Sequence, residues 1–110
     1  MSEPRLTEAE FEPLADRELS RLLEALIAVS DALDVDLASG VLTIQFTDDG
    51  KFVVNSHRAA RQIWLAAMRN AWHFDWDRAS ERWLTSTGAE LWATVREALQ
   101  MKLGAPVALG

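Results

Sequence analysis

Residues 40–76 read GVLTIQFTDDGKFVVNSHRAARQIWLAAMRNAWHFDW and hold most of the alternating apolar and polar positions of this 110-residue chain. From residue 42 to residue 47 every second side chain is apolar, which is the period of a strand with one buried face. The Asp-Asp-Gly sequence at 48–50 predicts a tight turn in which Gly50 supplies the positive φ. Residues 51–55 then return as the partner strand. A β-hairpin is therefore predicted at the centre of the fold.

The segments around this hairpin alternate in the same way. Residues 62–67, 72–76 and 82–85 follow it, and residues 34–37 form a shorter strand before it. In residues 34–37, 62–67 and 72–76 an apolar residue occupies every second position, so each of these segments is predicted to have one face in the core. We interpret residues 56–60 as a loop, in which His57 is expected to be exposed and to have no role.

Trp64 is the one tryptophan that the pattern sends to the surface. Its neighbours Ile63 and Leu65 are expected on the core face of the strand, so the indole is predicted to be exposed. The other tryptophans have spacings that match inward faces and are interpreted as core. An exposed tryptophan among polar residues such as Asn55 and Gln62 is typical of a protein interface.

The two predicted helices each begin with the spacing of a capping box. Thr7 and Glu10 open the first helix, whose apolar residues recur every three or four positions until Leu33, where we expect it to end. Thr87 and Glu90 have the same spacing before the second helix, and Gly104 is expected to end it.

The order of one helix, about six strands and one helix predicts an α+β fold in a single domain, residues 1–110. We expect a two-layer α-β sandwich, with an antiparallel sheet of about six strands and the N- and C-terminal helices packed on one face. The opposite face of the sheet is then in contact with water. Gln45, Asn55, Gln62 and Trp64 are expected on that outer face.

Composition and charge exclude several classes of protein. The net charge is −6, and the first 36 residues hold most of the acids and no basic stripe, so nucleic-acid binding is not favoured. There is no cysteine, and hence no disulfide or thiolate site. No apolar run reaches the length of a membrane span, and the acidic N-terminus does not resemble a signal peptide. We therefore expect a cytoplasmic protein without membrane contact.

The chain resembles the frataxin family, and within it the bacterial members of the CyaY type. The resemblance is carried by GVLTIQF (40–46), DGKFVVN (49–55), QIWLA (62–66), HFDW (73–76) and TGAELW (87–92). It implies weak binding of ferrous or ferric iron and association with the cysteine desulfurase and scaffold protein of iron–sulfur cluster assembly. It also implies the role of a regulator or iron chaperone of that machinery, and we expect a monomer.

The resemblance places the iron-binding carboxylates along the first helix and the strand that follows it. Leu23 and Ile27 stand where related chains have acids, so the acidic ridge is thinned here, and Glu12 and Arg61 stand where some relatives have His. Carboxylate oxygens suit iron, but scattered carboxylates impose no fixed coordination geometry, so we expect poor selectivity. The candidate ligands are Asp16, Glu18, Glu24, Asp31, Asp34 and Asp36.

Two surfaces are candidates for contact with partners. The acidic face of the first helix suits a basic patch of the desulfurase, whereas the outer sheet face suits the scaffold or its junction with the desulfurase. His73 beside Asp75 is interpreted first as a hydrogen-bonded surface pair. The candidate contact residues are Leu23, Ile27, Asn55, Gln62, Trp64, His73 and Asp75.

An enzymatic function is not favoured, because the sequence contains no nucleophile motif and no phosphate-binding glycine loop. The resemblance adds at most a weak ferroxidase side activity. The alternative to an iron-binding assembly factor is a metal-independent interaction module. Such a module would use the outer sheet face and the first helix, with Leu23 and Ile27 as an apolar patch.

Overall fold

The computed structural model describes residues 6–29 and 33–109. Its strands form one sheet in which every strand is antiparallel to the next along the chain. The two helices pack on one face of this sheet, so the predicted two-layer α-β sandwich is confirmed. The elements are α1 (Glu8–Val29), β1 (Asp34–Ala38), β2 (Val41–Gln45), β3 (Lys51–His57), β4 (Gln62–Ala67), β5 (Asn70–Asp77), β6 (Arg82–Leu84) and α2 (Leu91–Leu103).

The inner face of the sheet and the facing sides of the helices form one core. Ile63 and Leu65 in β4 are buried, as the alternation predicts. The ring of Trp83 in β6 meets the ring of Phe11 in α1 edge to face, with centroids 5.9 Å apart, which joins the first helix to the last strand. Trp72, Trp76 and Trp92 are half-buried and pack against this core.

The helix ends differ in part from the prediction. The capping box at Thr7 is present, because the backbone N–H of Glu10 donates to Thr7 Oγ1 at 3.1 Å. The described part of α1 ends at Val29. The predicted end near Leu33 falls at residues 30–32, which lie outside the described residues. For α2 the capping box was wrong: Glu90 is itself the N-cap, since its carboxylate accepts from the first-turn N–H groups. Gly104 ends α2 in the left-handed region, as predicted.

The turn between β2 and β3 also differs in detail. Asp49 takes the positive φ, at 70°, whereas Gly50 does not. The carboxylate of Asp48 accepts from the N–H of Gly50 at 3.0 Å and pairs with Lys102 of α2. The hydrogen bond from Lys102, followed by that from the Gly50 backbone, lowers the pKa of Asp48. The C-terminal end of α2 is therefore attached to the central hairpin.

Neither helix within residues 6–29 and 33–109 combines the length and the apolar composition that a bilayer crossing requires.

Candidate functional site: the outer face of the sheet

The register of the strands brings polar and aromatic side chains together on the face turned away from the helices. Asn55 in β3 lies opposite Trp64 in β4, which in turn lies opposite His73 in β5. Two residues further along the same pair of strands, His57 lies opposite Gln62. We call His57, Gln62, Trp64, His73 and Asp75 the stacked face.

Three rings are stacked on this face. The imidazole of His57 lies 3.9 Å from the indole of Trp64, between ring centroids, with an interplanar angle of 14°. The imidazole of His73 lies on the other side of the indole at 4.2 Å and 13°. Both flat faces of Trp64 are therefore covered by imidazoles that come from the neighbouring strands.

Hydrogen bonds fix the edges of two of these rings, those of Trp64 and His57. Trp64 Nε1 donates to Gln62 Oε1 at 2.8 Å, and Gln62 Nε2 donates to both carboxylate oxygens of Asp75 at 3.2 Å. Nδ1 of His57 accepts from the backbone N–H of Ala60 at 3.3 Å. A chain of aligned dipoles thus runs from the indole to a carboxylate, and each bond polarises the next.

Three sequence-based predictions about this face need correction. His57 is the last residue of β3, and it is half-buried against Trp64 instead of free in a loop. Trp64 points outward as predicted, but the two imidazoles leave it half-buried and not fully exposed. Asp75 accepts from Gln62 and not from His73, because the His73 ring is turned onto the indole. The strand period identifies the face of a side chain, but not the lateral contacts that it makes there.

Asn55 lies beside the stacked face, in the same cross-strand row as Trp64 and His73. Its side chain is half-buried, and Oδ1 is inaccessible to solvent without a hydrogen-bond partner among the described residues. A buried amide oxygen without a donor costs free energy that a new donor would restore. Asn55 is therefore a polar group of this face whose hydrogen bonding is incomplete.

The predicted acidic residues fall into separate places. Asp34 and Asp36 are exposed on edge strand β1 and share the outer sheet face, and we call this pair the acidic edge. Glu24 is exposed on α1, in the helix layer. Among residues 6–29 and 33–109 no three His, Cys, Asp or Glu side chains converge on a point that would hold a metal ion. Asp31, the remaining predicted ligand, lies outside the described residues.

Glu18 is not the surface carboxylate that the sequence suggests. It is buried, with 9% of its surface exposed, and its Oε2 accepts from Trp92 Nε1 at 3.1 Å. The guanidinium of Arg21 lies 3.7 Å from the same oxygen. Glu18 therefore joins α1 to α2, and this engagement makes it a weaker candidate iron ligand than the exposed acids. Asp16 remains exposed, but in the N-terminal half of α1, where it lines a cleft together with Arg58.

Two other acids of α1 are paired with arginines. Arg78 donates to Glu10 at 3.2 Å, and Arg58 pairs with Glu12. The pKa of Glu10 is lowered, chiefly by the hydrogen bond from the Thr7 backbone and then by that from Arg78. These contacts thin the acidic ridge further than the sequence alone suggests, because part of its charge is already neutralised.

Leu23 and Ile27, the apolar residues predicted to form a patch on α1, differ in their exposure to solvent. Leu23 is half-buried and packs against the core, whereas Ile27 is 58% exposed. The sequence-predicted patch on the first helix is therefore reduced to Ile27 and the exposed part of Leu23.

Comparisons with known proteins agree with the fold and with the motifs. Residues 4–105 match the model of the frataxin-like domain. The iron–sulfur cluster assembly protein CyaY of Dechloromonas aromatica is 39% identical over 94% of this chain and 99% of its own length. CyaY of Cupriavidus taiwanensis is 36% identical over 93% of this chain and 95% of its own length.

Solved structures show the same architecture. Frataxin from Psychromonas ingrahamii superposes with a TM-score of 0.82 at 24% identity, over 93% of this chain and 96% of that protein. Trimeric yeast frataxin from Saccharomyces cerevisiae, complexed with ferrous iron, gives a TM-score of 0.63 at 26% identity. The match covers 94% of this chain and 91% of that protein. The sandwich derived from the strand pattern is thus the fold of these proteins, and the chain belongs to the frataxin-like family, among relatives of the bacterial CyaY type.

Proposed function

We propose that the protein is an iron-binding regulator or iron chaperone of iron–sulfur cluster assembly, which docks on the complex of cysteine desulfurase and scaffold protein. The observation that carries this proposal is the stacked face, where an outward-pointing tryptophan lies among neutral amides beside Asn55, whose Oδ1 has no hydrogen-bond partner among the described residues. Tryptophan on a surface of this kind is enriched among the residues that dominate binding energy. The names of the relatives, which are cluster assembly proteins, supply the class of partner.

In this proposal iron binds at the acidic edge and at Glu24, and Asp31, which lies outside the described residues, stays in the predicted ligand set. Asp34 and Asp36 carry hard oxygen donors and form no ion pair with a described residue, so their charge is available to a cation. Two carboxylates on one strand do not complete a coordination shell, so water fills the remaining positions and binding is weak. Iron in this role is cargo or signal, and the protein acts as a monomer in the cytoplasm.

A metal-independent interaction module is the second candidate. It is favoured by the contrast between the ordered stacked face and the lack of a convergent ligand set in the described part of the chain. Under this alternative, docking is the whole function and iron does not change it.

The test is the affinity of the protein for the reconstituted desulfurase–scaffold complex of the same organism, with and without ferrous iron. Trp64→Ala is expected to weaken binding about tenfold or more, which is the loss of one interface anchor. It should also lower the free energy of unfolding by about 1–3 kcal/mol, because two ring contacts are lost, while the fold remains. An iron-dependent affinity supports the first candidate, and an iron-independent one supports the second.

Two control variants separate the anchor from the rest of the face. Trp64→Phe keeps an aromatic ring in the stack but loses the donor to Gln62, so it should lose less affinity than Trp64→Ala. Gln45→Ala changes an exposed residue of the same face on β2, opposite Lys51, and should bind like the wild type. Equal affinities for Trp64→Ala and the wild type would exclude the stacked face as the docking surface.

A further inference from the structure

The chain contains two histidines, and both lie against the same indole. His57 approaches Trp64 from the end of β3, and His73 approaches it from the middle of β5. The sequence positions are 16 residues apart and share no local pattern, so the arrangement is produced by the pairing of three strands.

The stack removes the freedom that an isolated surface tryptophan would have. A ring flip or a change of χ1 would carry the indole through one imidazole or the other, since both centroid distances are about the thickness of stacked rings. Rotation within the ring plane is opposed by the hydrogen bond from Nε1 to Gln62 at 2.8 Å. The indole is therefore held in one orientation before any partner arrives.

The imidazoles are themselves held. The hydrogen bond from the Ala60 backbone to Nδ1 fixes the ring of His57, whereas the backbone of His73 is positioned by its pairing with Trp64 across the β4–β5 ladder. Because both faces of the indole are covered, a partner meets the edges of three rings and not the flat face of Trp64. This footprint is rigid and nearly uncharged apart from Asp75.

We propose that His57 and His73 are positioning residues that preorganise Trp64 for docking, an inference that rests on the proposed function of the stacked face. Ordering a side chain at an interface costs part of the binding free energy, and a residue already ordered in the free protein avoids that cost. The imidazoles act through the indole. Their removal should weaken docking even where they make no contact of their own.

The experiment uses the full chain labelled with 5-fluorotryptophan, together with the reconstituted desulfurase–scaffold complex. The ¹⁹F spectrum reports each of the five tryptophans separately, and Trp64→Phe identifies the resonance of Trp64. His57→Ala is expected to shift and broaden that resonance alone and to weaken docking about three- to tenfold, the range that corresponds to one immobilised side chain.

His57→Phe is the matched control, because it keeps a flat ring beside the indole without the imidazole nitrogens. It should retain a narrow Trp64 resonance and bind within about twofold of the wild type. His73→Ala and His73→Phe should repeat the pattern from the other side of the ring. His57→Gln serves as the second variant if His57→Ala unfolds.

Each result decides the inference. Histidine-to-alanine variants that keep both the Trp64 resonance and the affinity overturn it, as does a loss of affinity in which the resonance does not move. A loss of affinity that His57→Phe fails to restore also overturns it, since the imidazole would then be a direct contact. If Trp64→Ala binds like the wild type, the docking proposal fails instead, while the resonance still reports whether the imidazoles order the indole.

Discussion

The acidic edge and the stacked face lie on the same side of the sheet, yet opposite physical effects organise them. Asp34 and Asp36 on β1 are exposed, unpaired with any described residue and similar in charge, so they repel each other. The stacked face is centred on β4, which is three strands from β1 and so about 14 Å from it. Its side chains hold one another through ring contacts and hydrogen bonds.

This difference separates two kinds of recognition on one surface. Unpaired carboxylates act over a distance set by the ionic strength and attract any cation or basic surface. A preorganised, nearly neutral group acts only at contact and selects by shape. We therefore expect the acidic edge to govern the rate of encounter and the salt dependence, and the stacked face to govern the lifetime of the complex.

The largest expected contrast between the two regions is in the response to salt. Raising the ionic strength from about 0.05 M to about 0.5 M should weaken docking of the wild type about tenfold, because the Debye length falls from more than 10 Å to less than 5 Å. The combined variant Glu24→Gln, Asp34→Asn, Asp36→Asn should show a nearly flat salt profile. Trp64→Ala should bind more weakly at every ionic strength, but its affinity should fall with salt as steeply as that of the wild type. A salt-insensitive wild-type complex would show that the acidic edge and Glu24 do not contribute to docking.

Iron binding should depend on the acidic edge and not on the stacked face. The double variant Asp34→Asn, Asp36→Asn is expected to remove more than half of the amide shifts that ferrous iron induces, because it removes two of the unpaired carboxylates. The double variant Asp48→Asn, Asp49→Asn removes two acids from the β2–β3 turn and should leave the shifts intact. Shifts that survive in the first variant would move the site to another part of the surface.

Glu18 provides a sharper test of which acids are structural. Glu18→Ala should lower the free energy of unfolding by about 1–3 kcal/mol, because the half-buried Nε1 of Trp92 loses its acceptor. Asp16→Ala, an exposed acid in the same helix, should change it by less than about 0.5 kcal/mol. Denaturant unfolding measures both. Loss of iron binding in Glu18→Gln with unchanged stability would return Glu18 to the ligand set.

The smallest effect concerns pH. The pKa of Asp48 is lower in the folded protein, chiefly because Lys102 donates to the carboxylate, so its contribution to stability is present above the ordinary carboxyl pKa of about 4. That contribution is lost as the pH falls through the lowered folded value. Asp48→Asn should therefore melt slightly below the wild type at pH 7, and the difference should disappear in strong acid. A difference that persists at pH 2 would assign the effect to the turn geometry and not to the charge.

The sheet was predictable because its signal is local. Alternation in QIWLAA and WHFDW is enough to send Ile63, Leu65 and Phe74 inward, and no distant residue alters that choice, since a shift of register would expose the whole core. The capping box at Thr7 and the stop at Gly104 were predictable for the same reason, as each depends on a few neighbouring residues. The cap of α2 was misassigned because Glu90 fits either end of the motif.

The candidate site depended on residues that only the tertiary structure brings together. The sequence determined that Trp64 points away from the core, but strand pairing decided that His57 and His73 cover its two faces, and no periodicity connects those three positions. Likewise, the acidic composition of the first helix was evident from the chain, whereas the burial of Glu18 follows from the approach of Trp92 across the two helices. Backbone periodicity fixes the direction of a side chain, and its neighbours across strands and helices decide what that side chain can bind.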